Sequence, residues 1–217
     1  MTPGDVHEVR IPKAGRRGTI SGYFDNPEAL ADAVGPLDGT VPAIYITLNP
    51  CKSALLARAA NRLQDRAQVT TADGDILRRR WLLIDLDPVR PAGISSSAAE
   101  HARAITVACG VWDDLRGWFG DPVVADSGNG AHLLYRLDLP NDQAATDLVK
   151  RILAGVAGRC GTDDIAVDGA VFNASRICKL YGTWTRKGDN TPDRPHRRSR
   201  LLEIPEDMRV LKLGAAA

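Results

Sequence analysis

Residues 122–139, PVVADSGNGAHLLYRLDL, leave the chain little choice of architecture. Two apolar runs, PVVADS (122–127) and AHLLYRLDL (131–139), are separated only by Gly128, Asn129 and Gly130. Three residues are enough for a tight turn but far too few for a crossover, so the two strands must pair antiparallel. On either side the pattern changes period. RWLLIDLD (80–87) reads as a strand, and Ser97 to Phe119 as a long helix. Asn141 is placed as the cap of a helix running to about Gly158, and a last strand falls between Ile165 and Tyr181.

The order is β-α-β-β-α-β, the split pattern of ferredoxin-like and RRM-like sheets. The strands of such a sheet lie 4-1-3-2, all antiparallel. The end of the first strand, with Asp85 and Asp87, then lies beside the start of the third, with His132. Further upstream, AIYITL (43–48) alternates as a strand does, and the leucines and alanines of NPCKSALLARAANRLQDRA suggest a helix. The first 18 residues, rich in Gly, Pro and Arg, are expected to be loosely held.

Asp85 and Asp87 stand two apart on the same face of a strand. Two carboxylates brought close repel unless a cation lies between them or one takes a proton. A DxD pair alone is a weak motif, but the apolar LLI before it places these acids at the rim of a core. Oxygen ligands of this kind suit Mg²⁺ or Mn²⁺ rather than zinc. The Gly128–Asn129–Gly130 turn could offer backbone N–H groups to a phosphate, although a plain hairpin needs the same residues. His132 follows directly. In VDGAVFNASRICKLYGTWTRKGD, Arg176 and Lys179 would face opposite sides of a plain strand, so a turn or bulge must intervene for both to serve one site.

Net charge is only +1, yet Arg176, Lys179, Arg186, Lys187, Arg194, Arg197, Arg198 and Arg200 crowd one segment, opposed by Asp189 and Asp193. That leaves room for a basic face beside an acidic centre. The four cysteines are far apart, with no CxxC pair. They read as buried free thiols of a reducing compartment, the cytoplasm, and no zinc is expected. No stretch has the length and apolarity of a membrane span.

Taken together, LLIDLDPVRPAGISSSAAE, DSGNGAHLLYRLDLP and VDGAVFNASRICKLYGT resemble the three motifs of the archaeo-eukaryotic primase superfamily. The likeness is strongest to the bacterial, phage and plasmid primase-polymerase branch, CRISPR-associated members included, and spans about residues 20–204. It implies a single catalytic domain over 1–217. An N-terminal α/β lobe (19–75) would pack on an RRM-like catalytic lobe (78–204), with motifs at 85–87, 127–132 and 168–179. The activity implied is that of a nucleotidyltransferase, a DNA primase and DNA-directed polymerase. Asp85, Asp87 and Asp168 would bind two divalent ions, Mg²⁺ or Mn²⁺. Ser127, Gly128, Asn129, Gly130, His132, Arg176 and Lys179 would contact the nucleotide. Asn49, Arg58, Arg62, Lys187 and Arg197, in or near flanking segments that also resemble that branch, would contact DNA. Implied partners are single-stranded DNA template, NTP or dNTP, and a helicase or other replication module on a longer chain, with no membrane.

The resemblance also constrains the last strand. If DIAVD were that strand, its end would be expected at the rim opposite Asp85 and Asp87. The role of Asp168 therefore requires the last strand to be SRICKLYG, with Asp168 in or just before the turn leading into it. Two rivals remain. A rolling-circle endonuclease would need paired histidines and a nucleophilic tyrosine, but His132 has no second histidine two positions away. An RRM-like binding module would need stacking aromatics on its sheet, and aromatics are only 5% of the chain.

Overall fold

The computed structural model describes residues 2–211. Its larger sheet has five strands in the order β11-β5-β6-β4-β7: β4 is Arg79–Pro88, β5 Val123–Asp126, β6 Ala131–Leu139, β7 Ile165–Val167 and β11 Arg200–Glu203. All its pairings are antiparallel. Without the added edge strand β11, the order is the 4-1-3-2 of the split β-α-β-β-α-β unit. Helices α2 (Ala98–Phe119) and α3 (Gln143–Cys160) fill the two crossovers.

Local chemistry explains the helix limits. Ser97 accepts from the Glu100 N–H while Glu100 accepts from the Ser97 N–H, a reciprocal cap that starts α2. The cap of α3 is Asp142, one residue later than expected, and it accepts from the Ala145 N–H. Asn141 is instead spent on the carbonyls of Asp73 and Ile76. Ala104, Val107, Ala108, Val111 and Leu115 of α2, with Val149, Leu153 and Val156 of α3, share one core with Leu82, Ile84 and Leu86 of β4 and Leu133 of β6. Each fully buried Val or Leu contributes about 1.5–3 kcal/mol, so this core fixes the position of β4.

The second sheet has the order β2-β1-β3-β8, from β1 (His7–Ile11), β2 (Ile20–Phe24), β3 (Tyr45–Thr47) and β8 (Ile177–Lys179). Helix α1 (Pro27–Val34), capped by Asn26, packs on it through Leu30 and Val34. Two expectations fail here. The N-terminal segment is not loosely held, since β1 is an inner strand with Val9 and Ile11 fully buried. Nor is the last strand of the larger sheet SRICKLYG. That place belongs to β7, within DIAVD, while residues 177–179 cross over and pair with β3. The N-terminal sheet therefore draws strands from outside residues 19–75.

The helix expected in residues 49–67 is also absent. Only a short 3₁₀ turn forms at Ser53–Arg58. Beyond it the chain runs beside β2, with Tyr23 N–H donating to Ala59 O, Asn61 N–H to Tyr23 O, and Ser21 and Gln64 exchanging both bonds. The free edge of β2 needs those partners. Gly22 permits the approach, because a Cβ there would lie 2.0 Å from the Arg62 carbonyl oxygen. Two short strands, β9 (Trp184–Thr185) and β10 (Arg197–Arg198), pair with each other. The cysteines are all free, but only Cys51 and Cys178 are buried; Cys160 is half-buried and Cys109 exposed. No described helix is long and apolar enough to cross a membrane.

Candidate active site

The two sheets enclose a cleft of about 640 Å³ with Asp85, Asp87 and His132 on one side and Tyr45, Lys179 and Lys187 among its other lining residues. Register brings the first group together. Asp85 of β4 pairs directly with His132 of β6, as the strand order required. One carboxylate oxygen of Asp85 lies 3.4 Å from His132 Nε2, and Asp87 Oδ1 lies 3.7 Å from Arg90.

Electrostatics separate the two acids. Burial would raise the Asp85 carboxyl, but His132, with Lys187 and Arg176 beyond, pulls it below its ordinary value. Burial and the negative charge of Asp85 push Asp87 above its ordinary value, and Lys187, Arg90 and His132 offset only part of this. A strand end that concentrates negative charge in this way is a natural cation seat.

Asp168 adjoins the pair. Its N–H donates to the Asp85 carbonyl at 2.9 Å, so β7 delivers it to the same rim despite the unexpected strand assignment. Its Oδ1 accepts from the Ala170 N–H within its own turn. Among the described residues no three His, Cys, Asp or Glu side chains are arranged around a common metal position. The Asp85–Asp87 pair supplies the oxygen donors a hard divalent ion needs, and the second carboxylate oxygen of Asp168 is not taken up by the bond to Ala170.

Two N–H groups of the glycine turn are already engaged. The Gly128 N–H donates to Asp126 Oδ1 and the Gly130 N–H to Ser127 Oγ, so neither is free for a phosphate. Close packing demands both glycines. A Cβ at Gly128, where φ is +92°, would sit 2.8 Å from Thr185 Oγ1; one at Gly130 would sit 2.1 Å from the Leu86 carbonyl oxygen. Asn129 is buried and accepts from the Ser96 N–H, but its Nδ2 has no acceptor among the described residues. Ser127, Asn129 and His132 all line the cleft.

Basic groups face these acids. Arg176, just before β8, and Lys179 both line the cleft, the turn between β7 and β8 having set the first and the strand the second. Arg176 donates to Ala170 O, while its Nε has no acceptor among the described residues. Lys179 is buried, donates to Trp184 O at 2.7 Å, and lies over the Tyr45 ring. Burial lowers its ammonium to about 7. Lys187 lines the cleft with no partner for its ammonium among the described residues.

Much of the basic run is internal bracing. Arg194 forms a two-pronged pair with Glu100, Arg197 donates to Ser96 O, and Arg198 donates to Gly182 O. Among the residues expected at DNA, Arg197 is thus a brace between loops. Asn49 is a second brace, 2% exposed, accepting from the N–H groups of Arg80 and Trp81 and donating to Ala174 O. Arg58 and Arg62 are exposed on the N-terminal side, Arg58 bonded to Tyr23 OH. Sequence reasoning missed Lys13, Tyr45, Thr185 and, behind His132, Tyr181. The alternation of AIYITL was the one signal that could have put Tyr45 on a sheet face.

No protein-family profile matches the chain, and no curated protein does. Among solved structures it is similar to the AEP domain of the primase-polymerase (PrimPol) of cyanophage S-2L, at 15% identity and a TM-score of 0.53. The match covers 95% of this chain and 84% of that one. At that identity the likeness speaks to the fold alone: a mixed α/β chain of antiparallel sheets and helices, similar to that AEP domain.

Proposed function

We propose that this chain is a primase-polymerase, a nucleotidyltransferase that starts and extends chains from nucleoside triphosphates on single-stranded DNA. One observation carries the reading. Asp85 pairs with His132, with Asp87 two residues on, in a cleft whose lining also includes Arg176, Lys179 and Lys187. The similarity in fold to a phage primase-polymerase domain supports it.

Asp85 and Asp87 would hold Mg²⁺ or Mn²⁺, with Asp168 as third ligand through the oxygen that the Ala170 N–H does not engage. Bound there, such ions supply a lowered pKa for the attacking 3′-hydroxyl and offset charge on the leaving pyrophosphate. The chain's own groups do the rest. His132 presents Nε2 towards the acids, while Lys179, Lys187 and Arg176 favour a triphosphate between the sheets. Of the buried side-chain groups without a partner among the described residues, those of Arg176 and Asn129 belong to residues lining this cleft, where an anion could meet them, and those of Arg79, Tyr135 and Arg197 do not. Positioning and electrostatics suffice, and no covalent nucleophile is required. Lys13 and Lys187 extend positive charge along the cleft, so template affinity should fall as salt rises.

The test is incubation with single-stranded DNA, Mg²⁺ or Mn²⁺ and labelled nucleotides, with no primer. Labelled product that depends on the divalent ion supports the proposal. DNA binding without product under either ion would reduce the chain to a nucleic-acid-binding module.

A further inference from the structure

Tyr181 reaches His132 from the turn just after β8 of the smaller sheet. It follows β8 and is held from both sides, by Leu180 N–H on Ile44 O and Gly182 N–H on Ser199 O. Its hydroxyl lies 2.7 Å from His132 Nδ1, and the rings meet edge-on with centroids 5.8 Å apart. Among the described residues His132 is the only hydrogen-bond partner of that hydroxyl.

We infer that Tyr181 is a positioning residue that fixes the His132 tautomer, so that Nε2 carries the proton and faces the cleft as a donor to a phosphate oxygen. This rests on the nucleotide-binding reading above. The donor arithmetic is simple. A carboxylate such as Asp85 only accepts, so a neutral ring must carry its single N–H on Nε2 to meet it. Nδ1 is then a bare acceptor, and a phenol hydroxyl can donate to it. At 3.4 Å, the contact from Nε2 to Asp85 is at the long limit of a hydrogen bond, which leaves that N–H available to a better acceptor in the cleft. Without the hydroxyl, Nδ1 loses its donor, and the ring can take the other tautomer. A bare Nε2 lone pair would then oppose both Asp85 and a phosphate. The same bond couples the two sheets at the point where the substrate would bind.

Tyr181→Phe keeps the ring and removes the hydroxyl. Ring nitrogens of ¹⁵N-histidine in the full chain, with the His132 signal assigned by its loss in His132→Ala, report the tautomer directly. The wild type should show the Nε2–H form and the variant a mixture. Binding of Mg²⁺-dATP and Mg²⁺-ATP should weaken by about fivefold to tenfold, the size of one lost hydrogen bond. In a His132→Ala background the same Tyr181 change should cost nothing further, because the effect passes through the ring. An unchanged tautomer in Tyr181→Phe, or an equal loss of affinity with and without His132, would overturn the inference. If the wild type binds neither nucleotide, the primase-polymerase reading falls, and the ring spectrum alone still decides what Tyr181 does.

Discussion

Asp168 stands opposite Asp85, its N–H bonded to the Asp85 carbonyl one step beyond the last pair of β7 with β4. The reason is register. β7 pairs only with the far end of β4, Ile165 with Pro88, Ala166 with Asp87 and Val167 with Leu86. A short antiparallel strand that begins beyond Asp87 ends beside Asp85. Reasoning from strand direction alone placed that end at the opposite rim, because it assumed that the two strands overlapped along their whole length.

Asp87 should weaken the fold in the absence of a cation. Asp87 is pushed above its ordinary value by burial and by Asp85, so its ionised form is the costly one in the folded chain. That cost is absent at low pH, where both folded and unfolded Asp87 are protonated. It grows as pH rises from the ordinary carboxylate value to the raised folded value. Asp87→Asn should therefore melt at or above the wild-type temperature at neutral pH. Mn²⁺ should raise the wild-type melting temperature and leave the variant nearly unmoved. Melting curves with and without Mn²⁺ check both, and a variant that melts well below the wild type contradicts the repulsion.

Lys179 sets a pH dependence of the opposite sense. Its folded value of about 7 lies below the ordinary 10.5, so between the two the unfolded chain binds the extra proton. Its contribution to stability rises with pH across that window, while its charge, and with it any hold on a phosphate, is lost. Triphosphate affinity should decline as pH rises through 7 in the wild type, and Lys179→Met should flatten that part of the profile. Calorimetric titrations at several pH values decide it. A profile as steep in the variant as in the wild type removes Lys179 from the site.

Asn49 and Lys187 should separate bracing from binding. Asn49→Ala leaves the buried N–H groups of Arg80 and Trp81 unmet and should cost about 1–3 kcal/mol of stability, with DNA affinity kept in the folded fraction. Lys187→Ala should melt like the wild type and bind DNA more weakly, with the salt slope reduced by about one. Denaturant melts and DNA titrations at several salt concentrations distinguish the two. Lost DNA affinity in a stable Asn49→Ala protein would return Asn49 to the interface.

The larger sheet was readable from sequence because its elements are long and strongly periodic. A tight turn forces the hairpin, and the meeting of Asp85 with His132 follows from topology alone. β1 escaped notice because five residues hide in a Gly-, Pro- and Arg-rich context, and only pairing with β2 and β3 reveals them as core. Leu55 and Ala59 imitate a helical stripe, but they are buried against Tyr23 and Cys51 by a chain that runs beside β2. Tyr45 and Tyr181 were invisible as site residues for a related reason. Tyr45 lines the cleft from β3, and Tyr181 stands behind His132 in the turn after β8, both placed by pairings between residues more than a hundred positions apart, such as Tyr45 with Lys179. Asn49 shows the reverse error, where a flanking resemblance suggested a surface contact and packing made it an internal brace.

The central claim is that Asp85 and Asp87 carry nucleotidyl transfer, and primer-free synthesis by the single variants tests it most directly. Asp85→Ala and Asp87→Ala should each abolish labelled product on single-stranded DNA with Mn²⁺ or Mg²⁺. Both should retain cooperative melting, since either change removes the repulsion between the carboxylates and leaves the β4–β6 backbone pairing in place, with Asp85→Ala losing only its long contact to His132. Wild-type synthesis by either folded variant would contradict the assignment.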